Sequence, residues 1–250
     1  MFNQITKFRG KVEDDNPYWI SFSDIMAGLL VIFILAALLL IQQLTQQQDA
    51  VDKKVEEIEK ANKIRSELLG DVQRALEHQG IIVEISDNES VIRIPSSTLN
   101  FASNHAEIPS QQQEVVEKIG IALVEAIIMT DRINYVDTIF VEGHTDSARS
   151  DYKGVGNWLL SADRAISIWQ YWGDKDTTNR LWGLKNFRDE LMFSVSGYGK
   201  TRRVEVDDST DEEKVKNDEK KAKNRRIDLR FTMKQPRKCD YQEVSGAASC

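Results

Sequence analysis

Trp19–Ile41 reads WISFSDIMAGLLVIFILAALLLI, and its 17 residues from Ile25 onward carry no charge. At about 1.5 Å per residue, a helix of this length reaches roughly 34 Å, enough to cross the hydrocarbon core of a bilayer. The run is too long for the apolar core of a signal peptide. It leads into QQLTQQQ (42–48) rather than a small-x-small cleavage site, so it is expected to stay as an anchor. A buried core helix is the competing reading, but no other segment of similar hydrophobicity is present to surround it. Tyr18 and Trp19 stand where an interfacial aromatic belt belongs.

The whole-chain averages conceal this segment. A mean hydropathy of −0.43 reads as a water-soluble protein. The 250 residues, 29% charged and 8% aromatic, exclude a disordered tail and a polytopic membrane protein. A net charge of −7 and a pI near 5.2 argue against a chain held to nucleic acid by phosphate contacts, so no nucleic-acid partner is expected. Lys7, Arg9 and Lys11 precede the span and Lys53 and Lys54 follow it, a slight positive-inside bias for a cytoplasmic N-terminus. The three basic and three acidic residues of the tail cancel. Setting Asp24 aside then leaves −6 on residues 42–250, the part expected to be exported.

Asp24 is the one ionisable residue in the span, about 7–8 Å beyond Trp19 along a helix. A carboxylate at mid-membrane costs about 2.5–3.5 kcal/mol on insertion scales, less at this shallower depth. Ser21, Asp24, Ala27 and Gly28 share a helix face, a small polar stripe that lets another helix approach. Asp24 either marks the headgroup boundary or is a protonatable ion carrier. One helix makes no pore, so the second reading requires a partner membrane protein.

Downstream, residues 42–80 form a polar, proline-free stretch. Its apolar positions at Leu44, Val51, Val55, Ile58, Ala61, Ile64, Leu68, Val72 and Leu76 step by about 3.5 residues on average. This predicts a helical stalk ending at Gly80, either paired with a second copy or packed on its own domain.

From Ile81 the period changes. IIVEIS and VIRI flank the polar turn at 87–90 as a hairpin, followed by a helix over 110–130 and a strand at 136–143. A second helix over about 157–172 and a strand near 191–199 follow. Thr210 with Glu213 fits a capping box for a helix to about Lys223, and RRIDLRF closes the domain at 225–231. Alternating strands and helices predict an α/β sandwich with one sheet. The expected organisation is thus a tail (1–18), a span (19–41), a stalk (42–80), an α/β domain (81–232) and a C-terminal tail (233–250).

Four motifs occur in order in that domain: EGHTD (142–146), NWLLSADRA (157–165), SGYGK (196–200) and NRRIDL (224–229). The set resembles the OmpA-like peptidoglycan-binding domain, and NWLLSADRA is similar to the MotB-type stator branch. SFSDIMAGLLVIF resembles the stator membrane helix. The compact stalk and mixed-charge tail are most similar to the ZorB-type subunits of Zorya anti-phage defence, with flagellar MotB as the alternative and a plain membrane-to-wall tether as another. The resemblance implies an inner-membrane, single-pass, non-enzymatic subunit with a periplasmic C-terminal domain. It implies a homodimer alongside a multi-span MotA-like (ZorA-type) partner in the lipid bilayer. Asp24 would carry the ion, taken to be H+, and no cofactor is expected.

An exposed anion beside a planar cation can receive a zwitterion, and diaminopimelate in peptidoglycan stem peptides offers an ammonium and a carboxylate on one side chain. The resemblance carries this role onto Asp146 and Arg164, and more loosely onto Thr145, Asn157 and Arg225. The bland alternative is that Asp146 and Arg164 simply pair to hold strand to helix. The loop SARSDYKGVG (147–156) is longer than a minimal domain of this kind requires, and the segment 205–224 carries eight acids and five lysines.

Other signals do not build a site. Gly199-Lys200-Thr201 mimics the end of a P-loop, but Ser194 stands where the first glycine is needed. His78, His105 and His144 are too scattered for a metal centre, and no catalytic triad or carboxylate pair is evident. Cys239 and Cys250 either close a 12-residue loop in an oxidising compartment or remain unpaired tail residues.

Overall fold

The computed structural model describes residues 17–206 and 214–236. The basic residues Lys7, Arg9 and Lys11, the Thr210–Glu213 capping pair and the two cysteines lie outside the described residues. The chain divides into two compact units, residues 1–55 and 56–250.

In the first unit the described residues belong to helix α1, which spans Pro17–Glu77. It is long and apolar enough to cross a membrane, and no residue of its most apolar window is buried. Leu29, Ile32, Phe33 and Leu39 are each more than half exposed, so in water this surface would have no partner.

The second unit begins inside α1. From Ala61 onward the helix becomes one-sided, with Ala61, Leu68, Leu69, Val72 and Leu76 buried in the domain core. The lower part of the seam that the sequence offered to a second copy is therefore used within the chain, whereas Leu44, Val51 and Val55 remain exposed. Arg132 pairs with Asp71 at 2.6 Å, and Arg65 donates to the Glu89 carbonyl at 2.8 Å, tying this segment to the domain. The helix ends as its glycine demands. Gly80 sits at φ +73°, its N–H reaches the Glu77 carbonyl, and the Ile81 N–H reaches that of Leu76.

Five strands follow: β1 (Glu84–Ser86), β2 (Val91–Pro95), β3 (Val136–His144), β4 (Phe193–Gly197) and β5 (Arg226–Met233). They form one sheet in the order β1-β2-β5-β3-β4, antiparallel except for the β3–β4 pair. That parallel pair needs a crossover, supplied by helix α3 (Asn157–Asp174). Helix α2 (Gln113–Ile128) precedes β3, and α4 (Lys214–Asn224) precedes β5. The hairpin, helices and closing strand thus match the alternation read from the sequence. The short helical turn at Asn179–Gly183 was not foreseen.

Strand β5 shows how the sheet is built. It is central, and its two side-chain faces alternate with period two. Ile227, Leu229 and Phe231 join the apolar core with Ile92, Ile94, Ile139 and Val141. Arg226 and Asp228 are also buried, on the opposite face, where Asp228 stands across from Arg93 of β2 and Glu142 of β3. One face is hydrocarbon and the other is ionic.

Two motif glycines set where α3 lies. A Cβ on Gly143 would come within 1.9 Å of the Ser161 carbonyl, and one on Gly197 within 2.4 Å of the Ala162 nitrogen. Both strands therefore need a bare backbone so that α3 can press against their carboxyl ends. That contact brings the start of α3 beside the residues that follow β3.

Candidate functional site

At the carboxyl end of β3 lies a cleft of about 300 Å³. Thr145, Asp146, Asn157, Arg164 and Arg225 all line it, together with the loop Asn100–Asn104. Five positions separated by up to 80 residues in the chain thus meet at one place.

Asp146 and Arg164 do not pair directly. Asp146 instead binds Arg225, with Nη1 2.7 Å from Oδ2, and its Oδ1 accepts the Ala148 N–H at 3.0 Å. Each oxygen has accepted one bond, so each has a lone pair left for a further donor. The bland pairing of Asp146 with Arg164 is replaced by a pairing with the residue just ahead of β5.

Arg164 is buried at 5% exposure and spends its fork on backbone. Nε donates to the His105 carbonyl and Nη2 to that of Ala102, both at 3.0 Å, and the guanidinium lies 5.1 Å from the Phe101 ring centre. Among the described residues Nη1 makes no hydrogen bond, so its donors remain for a ligand in the cleft. Burial, partly offset by the charge of Asp146 and reinforced by that of Arg225, brings the Arg164 pKa down to about 10. The group stays cationic at neutral pH.

Thr145 is buried, and its hydroxyl has no partner among the described residues. Asn157 donates to the Ala148 carbonyl at 2.8 Å, fixing the loop that follows Asp146. The long loop 147–156 is tied to α3 as well, since Tyr152 and Lys153 both donate to Asp163. Sequence reasoning missed the Asn100–Asn104 wall. It lies some 60 residues before Arg164, and only the carbonyl bonds from Arg164 reveal it.

Behind the cleft stands the ionic face of the sheet. Asp228 accepts from Arg93 at 3.1 and 3.2 Å and from Arg226 at 2.9 Å, while Glu142 accepts from Arg230 at 3.0 Å. His144 stacks on Tyr198, and both of its ring nitrogens lack a hydrogen-bond partner among the described residues. Burial, assisted by the cation of Arg226, pushes the His144 pKa down to about 3. Glu142, His144 and Asp228 lie close enough to suggest metal ligands. Both carboxylates are already neutralised by arginines, so the chemistry is that of an ion-pair layer.

In the first unit, Asp24 is exposed on α1 and borders a shallow hollow with Trp19, Ser23 and Ala27. Beyond its chain neighbours and the helix's own backbone, no described atom lies within 4 Å of where a Gly28 Cβ would stand, so this face is open to close approach.

Residues 100–218 match the OmpA family model. The chain is 25% identical over 245 residues to the uncharacterized protein YtxE of Bacillus subtilis (strain 168), covering 88% of this chain and 90% of that relative. It is 22% identical over 167 residues to the Zorya protein ZorB of Escherichia coli (strain ATCC 8739), covering 64% and 69%. Among solved structures, a MotB-like protein from Desulfovibrio vulgaris superposes with a TM-score of 0.52 at 18% identity, over 70% of this chain and 98% of that one. Residues 100–218 are therefore OmpA-like in sequence, within an α/β domain whose fold is similar to that of the MotB-like protein.

Proposed function

We propose that this chain is a peptidoglycan-anchored, ion-carrying stator-type subunit of a membrane motor complex, serving anti-phage defence of the Zorya kind. The observation that carries the wall-binding half is the cleft, which Arg164 and Thr145 both line and where, among the described residues, Arg164 Nη1 and the Thr145 hydroxyl have no hydrogen-bond partner. A stem-peptide carboxylate would take the Arg164 donors, and the neighbouring ammonium would take the remaining lone pairs of Asp146. The likeness to ZorB supports the choice of machine.

In this reading α1 spans the inner membrane once, with a cytoplasmic N-terminus and a periplasmic domain. Two copies sit beside a multi-span MotA-like (ZorA-type) subunit. Asp24 picks up a proton from one side and releases it to the other. A neutral carboxyl can meet apolar surface, and an ionised one demands a different environment. That alternation drives movement of the partner ring while the wall holds this subunit still. The protein is not an enzyme and needs no cofactor.

The test uses the full chain with its co-purifying partner. Asp24→Asn should abolish ion flux and defence while membrane insertion and assembly persist. A variant that conducts and defends normally leaves only a wall tether. Separately, Asp146→Ala and Arg164→Ala should each reduce sacculus pull-down, and full retention by both would move the wall site elsewhere. Rescue of swimming, rather than of phage resistance, would assign the chain to a flagellar motor.

A further inference from the structure

Helix α3 leaves the cleft with an aromatic flank that the stem-peptide site does not use. At 100° per residue, Trp158, Ala162, Ile166, Trp169 and Gly173 fall within roughly 80° of arc, beside the buried face. Trp158 is 55% exposed and Ile166 38%. Trp158 immediately follows Asn157, which lines the cleft, so the flank starts at the cleft's edge. It extends about 24 Å along the helix from Asn157 to Gly173.

Its far end is built, not merely exposed. Trp182 lies directly over Gly173, where a Cβ would come within 2.0 Å of the indole. The Trp182 ring stacks on Trp169 at 5.4 Å, and its Nε1 donates to the Trp169 carbonyl at 2.9 Å. Trp169 in turn stacks on Phe193 of β4 at 5.0 Å. Trp182 is nonetheless 44% exposed, a ring face held in place and left open.

We propose that this ledge binds the sugar backbone of the polymer whose stem peptide enters the cleft, a glycan subsite that rests on the wall-binding reading above. Pyranose rings turn axial C–H groups outward, and these suit the electron-rich face of an indole. Their hydroxyl and N-acetyl groups need polar neighbours, and the chain offers the exposed Gln170 next to Trp169 and the exposed Arg180 two residues before Trp182. Continuity with the cleft selects the glycan, since stem peptides hang from that same chain.

The probe is peptidoglycan glycan chains stripped of stem peptides by an amidase, fluorescently labelled and titrated by anisotropy against the full chain in detergent. Wild type should bind them. Trp182→Ala and Trp158→Ala should each weaken binding about three- to tenfold, the loss of one aromatic stack, while free stem peptide binds as before. Trp158 is surface-exposed, so that variant tests the idea even if Trp182→Ala disturbs packing. Absence of wild-type binding to bare glycan, or undiminished binding by both variants, overturns the proposal. So does a change in oligomeric state without a change in glycan affinity, which would make the ledge a contact between copies. Failure of the wall-binding reading looks different: wild type would then ignore free stem peptide as well.

Discussion

Arg225 and Arg226 are neighbours in the chain and opposites in the fold. Arg226 points into the ionic layer, is 6% exposed, and spends its donors on Asp228, on the Arg202 carbonyl and on the Asn224 carbonyl. Arg225 points into the cleft and holds only Asp146 among the described residues. A step of one residue along a strand edge thus separates a saturated structural cluster from an unsaturated binding site. Arg164 shows both behaviours in one side chain, with two nitrogens committed to backbone and a third left open. The difference between the two regions is whether donors remain for something outside the chain.

If the buried layer is structural, it should dominate stability. Asp228→Ala leaves Arg93 and Arg226 without their shared counter-ion in a place closed to water. The expected loss is about 3–5 kcal/mol, read from urea unfolding. A loss below about 1 kcal/mol would mean that water reaches the layer and the contrast with the cleft is false.

The cleft should show the opposite balance. Arg164→Lys keeps the charge but not the planar fork that bonds two carbonyls while presenting Nη1. Sacculus affinity should fall about tenfold, and Arg225→Ala should lower it by less while changing unfolding by about 1 kcal/mol or under. Equal loss of stability and affinity in both variants would erase the distinction.

The remaining contrast is in pH dependence, and it belongs to His144. Its folded pKa of about 3 lies below the unfolded value near 6.5. Between those values the unfolded chain binds the extra proton, so stability is full above pH 6.5 and declines as the pH falls toward 3. The slope is at most about 1.4 kcal/mol per pH unit. The groups facing His144 include Asp228, Arg226, Arg93 and Arg202, with Tyr198 stacked on the ring. His144→Phe keeps a stacking ring without a titrating nitrogen and should flatten that decline. An unchanged acid-unfolding profile would show that His144 is not the group being protonated.

Much of the domain was legible because each segment carries its own period. RIDLRF (226–231) alternates strictly, and the sheet accepts it as a central strand with one apolar and one ionic face. EGHTD and SGYGK were readable as motifs, yet the reason for their glycines, the close approach of α3, is visible only in three dimensions. The stalk was legible as a helix but not in its partner. A seam repeating every three to four residues looks the same whether it faces a second copy or its own domain. From Ala61 the chain's own core takes it.

The sequence by itself determined the apolar span, the position of Asp24 within it, and the order of helices and strands. These are local facts, fixed by composition, by period and by motif. Only the tertiary structure decided that Asp146 pairs with Arg225 rather than Arg164, that the loop at 100–104 forms a wall, and that Trp182 closes over Gly173. Those contacts join residues far apart in the chain. Whether a donor is spent or free depends on which distant carbonyl or carboxylate the packing brings within reach, and no local pattern records that.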